Sequence, residues 1–226
     1  MKIRRLHKWD VTPAEARKIQ ERLRDEVTIA PLKNEPALAA GADISFSRRS
    51  DRLFAGIVVL RLSDMETVET AAVETQATFP YIPGYLSFRE IPPLIQLFRK
   101  LKTNPDVLIC DGQGLAHPRF FGLACHLGLT LDIPTVGCAK TLLVGEYREP
   151  ADSPWSKSPL VYQDRQVGLV VRSRQGVKPI FISPGHKIDF PGAVSLVKRC
   201  TAKFRLPETT RRAHQLVNQI RVSAGG

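Results

Sequence analysis

Nowhere in the 226 residues does an apolar run approach the roughly eighteen that a membrane span requires. The opening MKIRRLHKWD is basic but lacks the apolar stretch of a secretion signal. Both absences point to a cytoplasmic protein that makes no use of a membrane. Cysteine is sparse too: Cys110, Cys125, Cys138 and Cys200 include no CxxC pair and sit in apolar contexts such as VLIC. They read as reduced core residues rather than as a zinc or disulfide framework. Acidic residues are scarce in one place only. From Arg165 to Gly226, twelve basic side chains meet two acidic ones, a local charge of +10, whereas the other 164 residues hold 21 and 20. Nearly all of the net +11 therefore lies in the last quarter. Such asymmetry suits a face for a polyanion, whose neutralised phosphates release counterions; a solvated basic surface is the plainer alternative.

What is present is ordinary for a soluble globular chain, with 43% hydrophobic and 24% charged residues. No repeat, low-complexity tract or linker interrupts it, so one mixed domain over residues 1–226 is expected. Thr12-Pro13-Ala14-Glu15 is a capping box with proline at the first helical position, which predicts a helix to about Thr28. ALAAGADISFS, LFAGIVVLRL and TVETAAVETQATF read as an antiparallel meander. A helix through IPPLIQLFRKL follows, with Pro92-Pro93 in its first turn. The pattern then becomes α/β: VLICD as a buried strand, PRFFGLACHLGLTL as a helix, PTVGCAK as a second buried strand. Residues 145–164, with Pro150, Pro154 and Pro159, read as a surface loop. QVGLVVRS and KPIFIS read as a hairpin, and helices are expected over residues 190–204 and 207–221.

This order is the layout of a ribonuclease H-like α/β fold, in which the first and fourth strands lie side by side. Asp43 in GADIS and Asp111 in LICDG would then meet. Glu90 closes PYIPGYLSFRE, a segment whose Pro80 and Pro83 forbid a strand or helix interior and imply a stiff loop. Asp43, Glu90 and Asp111 form a set of hard oxygen ligands suited to magnesium, which takes few protein carboxylates and keeps several waters. A glutamate after an arginine is more often simply solvated, and it is the company of the other two that singles Glu90 out.

PYIPGYLSFRE, CDGQGLAHPRFFG, GCAKT, SPGHKI and LPETTRRAH, in that order and spacing, closely resemble the endonuclease V family, deoxyinosine 3′-endonucleases of nucleic-acid repair. The resemblance runs from about Asp10 to about His214. It implies a magnesium-dependent hydrolase, with manganese as a substitute ion, that nicks DNA at the second phosphodiester bond 3′ to inosine. By motif position Asp43, Glu90 and Asp111 are its metal-binding carboxylates. Lys140 matches a lysine near the scissile phosphate, and His214 a further active-site position, for metal-water contact or proton transfer. The plainer readings are a strand-end cation for Lys140 and a helix-surface histidine for His214. His117, before Pro118, either contacts phosphate or caps a turn.

Recognition of inosine in a duplex requires the base to leave the stack, which costs least when it is mispaired. Tyr81 and Ile82, held between Pro80 and Pro83, suit a wedge that fills the vacated space. Gly84, Gly112 and Gly114 permit close backbone approach, so that main-chain N–H groups facing the base oxygen would reject the amine of adenine. The resemblance implies that Gly84, Leu86, Gly112 and Leu123 line the base pocket; tight turns alone would also account for the glycines. The expected partner is DNA containing deoxyinosine, bound by a monomer. Alternatives are inosine-containing RNA as substrate, a structure-selective ribonuclease H-like nuclease, and a silent nucleic-acid binder.

Overall fold

A computed structural model describes residues 3–47 and 50–225. Its strands are β1 (Leu38–Phe46), β2 (Arg52–Arg61), β3 (Thr67–Gln76), β4 (Val107–Cys110), β5 (Thr135–Ala139), β6 (Ser156–Tyr162), β7 (Arg165–Arg172) and β8 (Ile180–His186). They form one mixed sheet in the order β3-β2-β1-β4-β5-β8-β7-β6. The meander is antiparallel, β1, β4 and β5 are mutually parallel, and β8, β7 and β6 return antiparallel. This is the expected ribonuclease H-like arrangement, with β1 beside β4. Of the span 1–226 expected to form one domain, residues 1, 2, 48, 49 and 226 lie outside the described residues.

The helices are α1 (Pro13–Leu23), α2 (Leu86–Lys100), α3 (Leu123–Leu131), α4 (Phe190–Arg199) and α5 (Glu208–Ser223). Alternate strand positions face opposite sides, and the two cores follow that rule. Ala40, Ala42, Leu108 and Cys110 pack with Leu94 and Leu97 of α2 and Leu127 of α3. Ala39, Val107, Ile109 and Val136 pack with Ala193 and Val197 of α4. All four cysteines are buried and free, as core residues. No helix among the described residues is long and apolar enough to cross a membrane.

Several boundaries differ from expectation. Residues 156–162, expected in a loop, form β6. It is an edge strand, where Pro159 can sit in the sequence SKSPLVY because one side of the strand needs no ladder donor. Helix α2 begins at Leu86, so Pro92 and Pro93 lie inside it and Glu90 is helical rather than part of the loop. Helix α3 starts at Leu123 rather than at Pro118. Helix α1 keeps its full capping box but gives way to a 3-10 turn at Arg24–Glu26, and α4 stops at Arg199.

Candidate active site

The register Ala42↔Cys110 places Asp43 and Asp111 one step beyond a paired position on adjacent parallel strands. Both carboxyls are largely buried, with 10% and 17% of their side chains exposed. Burial raises the pKa of Asp43 above the usual carboxylate range; the charge of Asp111 adds to this, and His214 opposes it. Glu90 arrives from α2 on the other side of the sheet. Burial, reinforced by the charges of Asp43 and Asp111, pushes it up to about 8. Three carboxyl groups thus converge; Lys140, at the end of β5, meets Asp111 with Nζ 2.5 Å from its Oδ2, and the charge of Arg89 acts on Glu90 against the effect of burial.

Helix α5 carries the fourth group. It lies directly on β1 because residue 41 is glycine: a Cβ there would fall 2.2 Å from the Thr209 carbonyl oxygen. That approach sets His214 Nδ1 at 2.8 Å from Asp43 Oδ2. The Asn218 amide contacts His214 Nε2 at 2.9 Å from one helical turn further on. With Asn218 donating, the imidazole proton sits on Nδ1 and points at Asp43. Asn218 escaped the sequence reading, although its i+4 spacing from His214 is a signal that could have marked it. One ligand atom from each of Asp43, Asp111 and His214 lies within 4.8 Å of the others. The Asp43 and Asp111 carboxyls, with Glu90 close by, offer hard oxygen ligands that fit a divalent cation, while the His214 ring, bonded to Asp43 and Asn218, orients Asp43 rather than ligating.

Beside these groups opens a pocket of about 420 Å³, within the roughly 300–1,000 Å³ of ligand sites. Gly84, Leu86, Gly112 and Leu123 all line it, together with Glu90, Asp111 and Lys140. Thr141, Leu142 and Leu143, which follow the GCAK stretch and were not singled out in the sequence, line it too. On its rim Tyr81 is 62% exposed, with its ring edge-on to Phe46 at the end of β1. Pro80 and Pro83 are exposed on either side, whereas Ile82 packs half-buried against the cluster of Ala16, Phe79 and Phe88. The two expected wedge residues therefore divide: Tyr81 projects and Ile82 anchors. Arg89 holds the loop's start by donating to the Phe79 carbonyl at 2.7 Å.

Of the two readings of His117, its contacts match the structural one. Its Nε2 bonds the Gly84 carbonyl at 2.9 Å and its Nδ1 accepts from Arg119 N–H at 3.2 Å. Burial lowers its pKa to about 4. With both nitrogens bonded to the backbone, the ring braces the loop from within the pocket lining. The basic quarter is also more tethered than its composition suggests. Arg172, Lys187 and Arg199 reach Glu149, Asp132 and Glu35, and Arg211 and Arg212 share Glu208.

The endonuclease V family model matches residues 21–215. Endonuclease V of Nostoc punctiforme is 48% identical over 219 residues, which are 96% of this chain and 99% of that protein. The crystal structure of endonuclease V from Streptomyces avermitilis matches with a TM-score of 0.91 at 37% identity, covering 96% of both chains. Endonuclease V of Ciona intestinalis, crystallised with a 23mer DNA containing an inosine followed by a ribo-adenosine, matches at 0.83 and 28% identity over 95% of this chain and all of that one.

Proposed function

This chain belongs to the endonuclease V family, nucleases that hydrolyse phosphodiester bonds, and from that premise we propose that it cuts DNA at the second phosphodiester bond 3′ to deoxyinosine. The products are a 3′-hydroxyl and a 5′-phosphate, and the role is repair of deaminated adenine. Residues 1–226 act as one domain, as a cytoplasmic monomer. The observation that carries the reading is the convergence of Asp43, Asp111 and His214 within 4.8 Å, next to a base-sized pocket that Glu90, Asp111 and Lys140 also line.

Asp43, Glu90 and Asp111 would hold magnesium, or manganese in its place. A divalent ion so held polarises a phosphoryl oxygen and lowers the pKa of its bound water. The chain supplies the rest. Water attacks phosphorus and gives up a proton, the bond to the 3′-oxygen breaks, that oxygen takes up a proton to leave as the 3′-hydroxyl, and Lys140, anchored on Asp111 at 2.5 Å, faces the charge that develops on the phosphoryl oxygens. His214 keeps its Nδ1 proton directed at Asp43 and orients that carboxylate. Tyr81 fills the space left by the extruded base. Gly84, Leu86, Gly112 and Leu123 enclose the base itself, with backbone N–H groups that favour an oxygen over an amine.

The deciding experiment compares strands of matched sequence, inosine-containing DNA, inosine-containing RNA and inosine-free DNA, with magnesium present and after its removal. Magnesium-dependent nicking of the inosine DNA alone is expected. Faster cutting of the RNA would make this an endoribonuclease, and equal cutting of inosine-free flaps would make it structure-selective. Tyr81→Ala should weaken binding to inosine DNA about tenfold, a typical stacking loss, while nonspecific binding stays nearly constant in the same titration.

A further inference from the structure

Three side chains converge on one carbonyl oxygen of the pocket wall, that of Gly84. They are Gln20 Nε2 at 3.0 Å and Arg119 Nη2 at 2.6 Å, from residues outside the pocket lining, and Nε2 of His117, which itself lines the pocket, at 2.9 Å. A carbonyl has two lone pairs, so two donors already satisfy it and the third over-determines its position. The donors also fix one another. Arg119 Nε donates to Gln20 Oε1 at 2.6 Å, which turns the Gln20 amide nitrogen toward Gly84. Arg119 N–H donates to His117 Nδ1, which leaves the ring proton on Nε2, facing the same oxygen. The Arg119 guanidinium lies 4.2 Å over the Tyr85 ring. Gly84 itself has φ +81°, and a Cβ on it would fall 2.9 Å from Arg119 Nη2, so any other residue would strain the backbone and push the guanidinium aside.

Of the three glycines lining the pocket, Gly84, Gly112 and Gly122, the first belongs to a segment separate from the other two. Gly84 sits on the proline-bracketed loop before α2, and Gly112 follows β4. Arg119 belongs to the second segment and grips the first, while Gln20, 1% exposed on α1, also reaches the Phe121 carbonyl at 3.4 Å and so ties both segments to a third element. We infer that Gln20 and Arg119 form a polar latch that positions Gly84 relative to Gly112 and so sets the width of the base pocket. Both are specificity-determining positioning residues, an assignment that rests on the inosine reading proposed above. Hypoxanthine and guanine differ by one exocyclic amine, so the position of this wall bears directly on the choice.

The test is Gln20→Glu. It keeps the side chain's size and the acceptor for Arg119, but it turns a carboxylate oxygen on the Gly84 carbonyl where an N–H donated. Steady-state nicking of inosine strands and of guanine controls should show KM for inosine raised about tenfold, kcat changed less than about threefold, and the inosine-to-guanine ratio reduced about tenfold. Arg119→Ala should show the same pattern, and Arg119→Lys, which restores one donor, should recover part of it. A folded Gln20→Glu protein with the wild-type KM and ratio would overturn the latch, and so would an equal fall in kcat on every strand. Wild-type protein with no preference for inosine would overturn the functional reading first, and the latch with it.

Discussion

Strand β4 is four residues long and carries an aspartate at each end, Asp106 before Val107 and Asp111 after Cys110. At the first end Asp106 Oδ2 accepts from the Ala37 and Leu38 N–H groups at 2.8 and 2.9 Å, fastening the start of β1 to that of β4. At the other end Asp111 faces Asp43 and Glu90, two carboxyls that repel its charge, with Lys140 as its counter-ion. One residue type is thus a fastener and a source of electrostatic stress within a single strand. The difference lies in what each end of the sheet receives. Open α/β sheets gather ligands beyond the carboxyl ends of parallel strands, where the connections diverge. Here that end collects α2, α5 and the Lys140 segment, while the opposite end is closed by backbone donors and by Thr28 N–H on the His186 ring.

The largest expected effect comes from exchanging charge for neutrality at the stressed end. Asp111→Asn should lower nicking by about a thousandfold, the scale on which charge-stabilising groups act, with the melting temperature unchanged or raised because a like-charge contact is gone. Lost stability with retained nicking would reverse the roles assigned to the two ends.

Next in size is a pH effect. Glu90 titrates near 8 in the folded protein against an ordinary 4.5, so between those values the folded chain holds a proton that the unfolded chain has released. Stability of the metal-free protein should therefore fall as pH rises through that window, and stay level below it, where both states are protonated. Thermal unfolding at a series of pH values checks the slope, and Glu90→Gln should flatten it. Added magnesium should flatten it as well, since the ion competes with the proton for the same carboxyl. A slope that persists in Glu90→Gln would place the stressed proton on another group.

The stressed end was legible in the sequence because it uses simple signals. An aspartate within the first strand of a meander and another closing a short apolar strand place Asp43 beside Asp111 without any coordinates. The α2 boundary was not, because Pro92 and Pro93 mark a first turn only if the helix starts beside them, and here packing of Phe88 and Ile91 carries it back to Leu86. β6 was hidden by a proline that only an edge strand tolerates. Gln20 left only a positional trace, four residues after Ala16 and three before Leu23 on the buried face of α1. In an otherwise polar amphipathic helix it reads as surface, and what buries it is a carbonyl 64 residues away.

The smallest effect belongs to the satisfied end, and it is the one that tests whether the two ends are independent. Asp106 is exposed, so when its carboxylate is removed the Ala37 and Leu38 N–H groups can turn to water instead. Asp106→Ala should therefore cost about 1 kcal/mol in denaturant unfolding, less than an enclosed charged hydrogen bond would. Asp106→Asn keeps an acceptor oxygen and should recover most of that loss. Nicking by either variant should stay within about twofold of wild type, since sites that share no partner add independently. A larger fall in nicking, with the fold intact, would mean that the β1–β4 register set at Asp106 is felt at Asp43 and Asp111, and that the fastener positions the carboxylates it never touches.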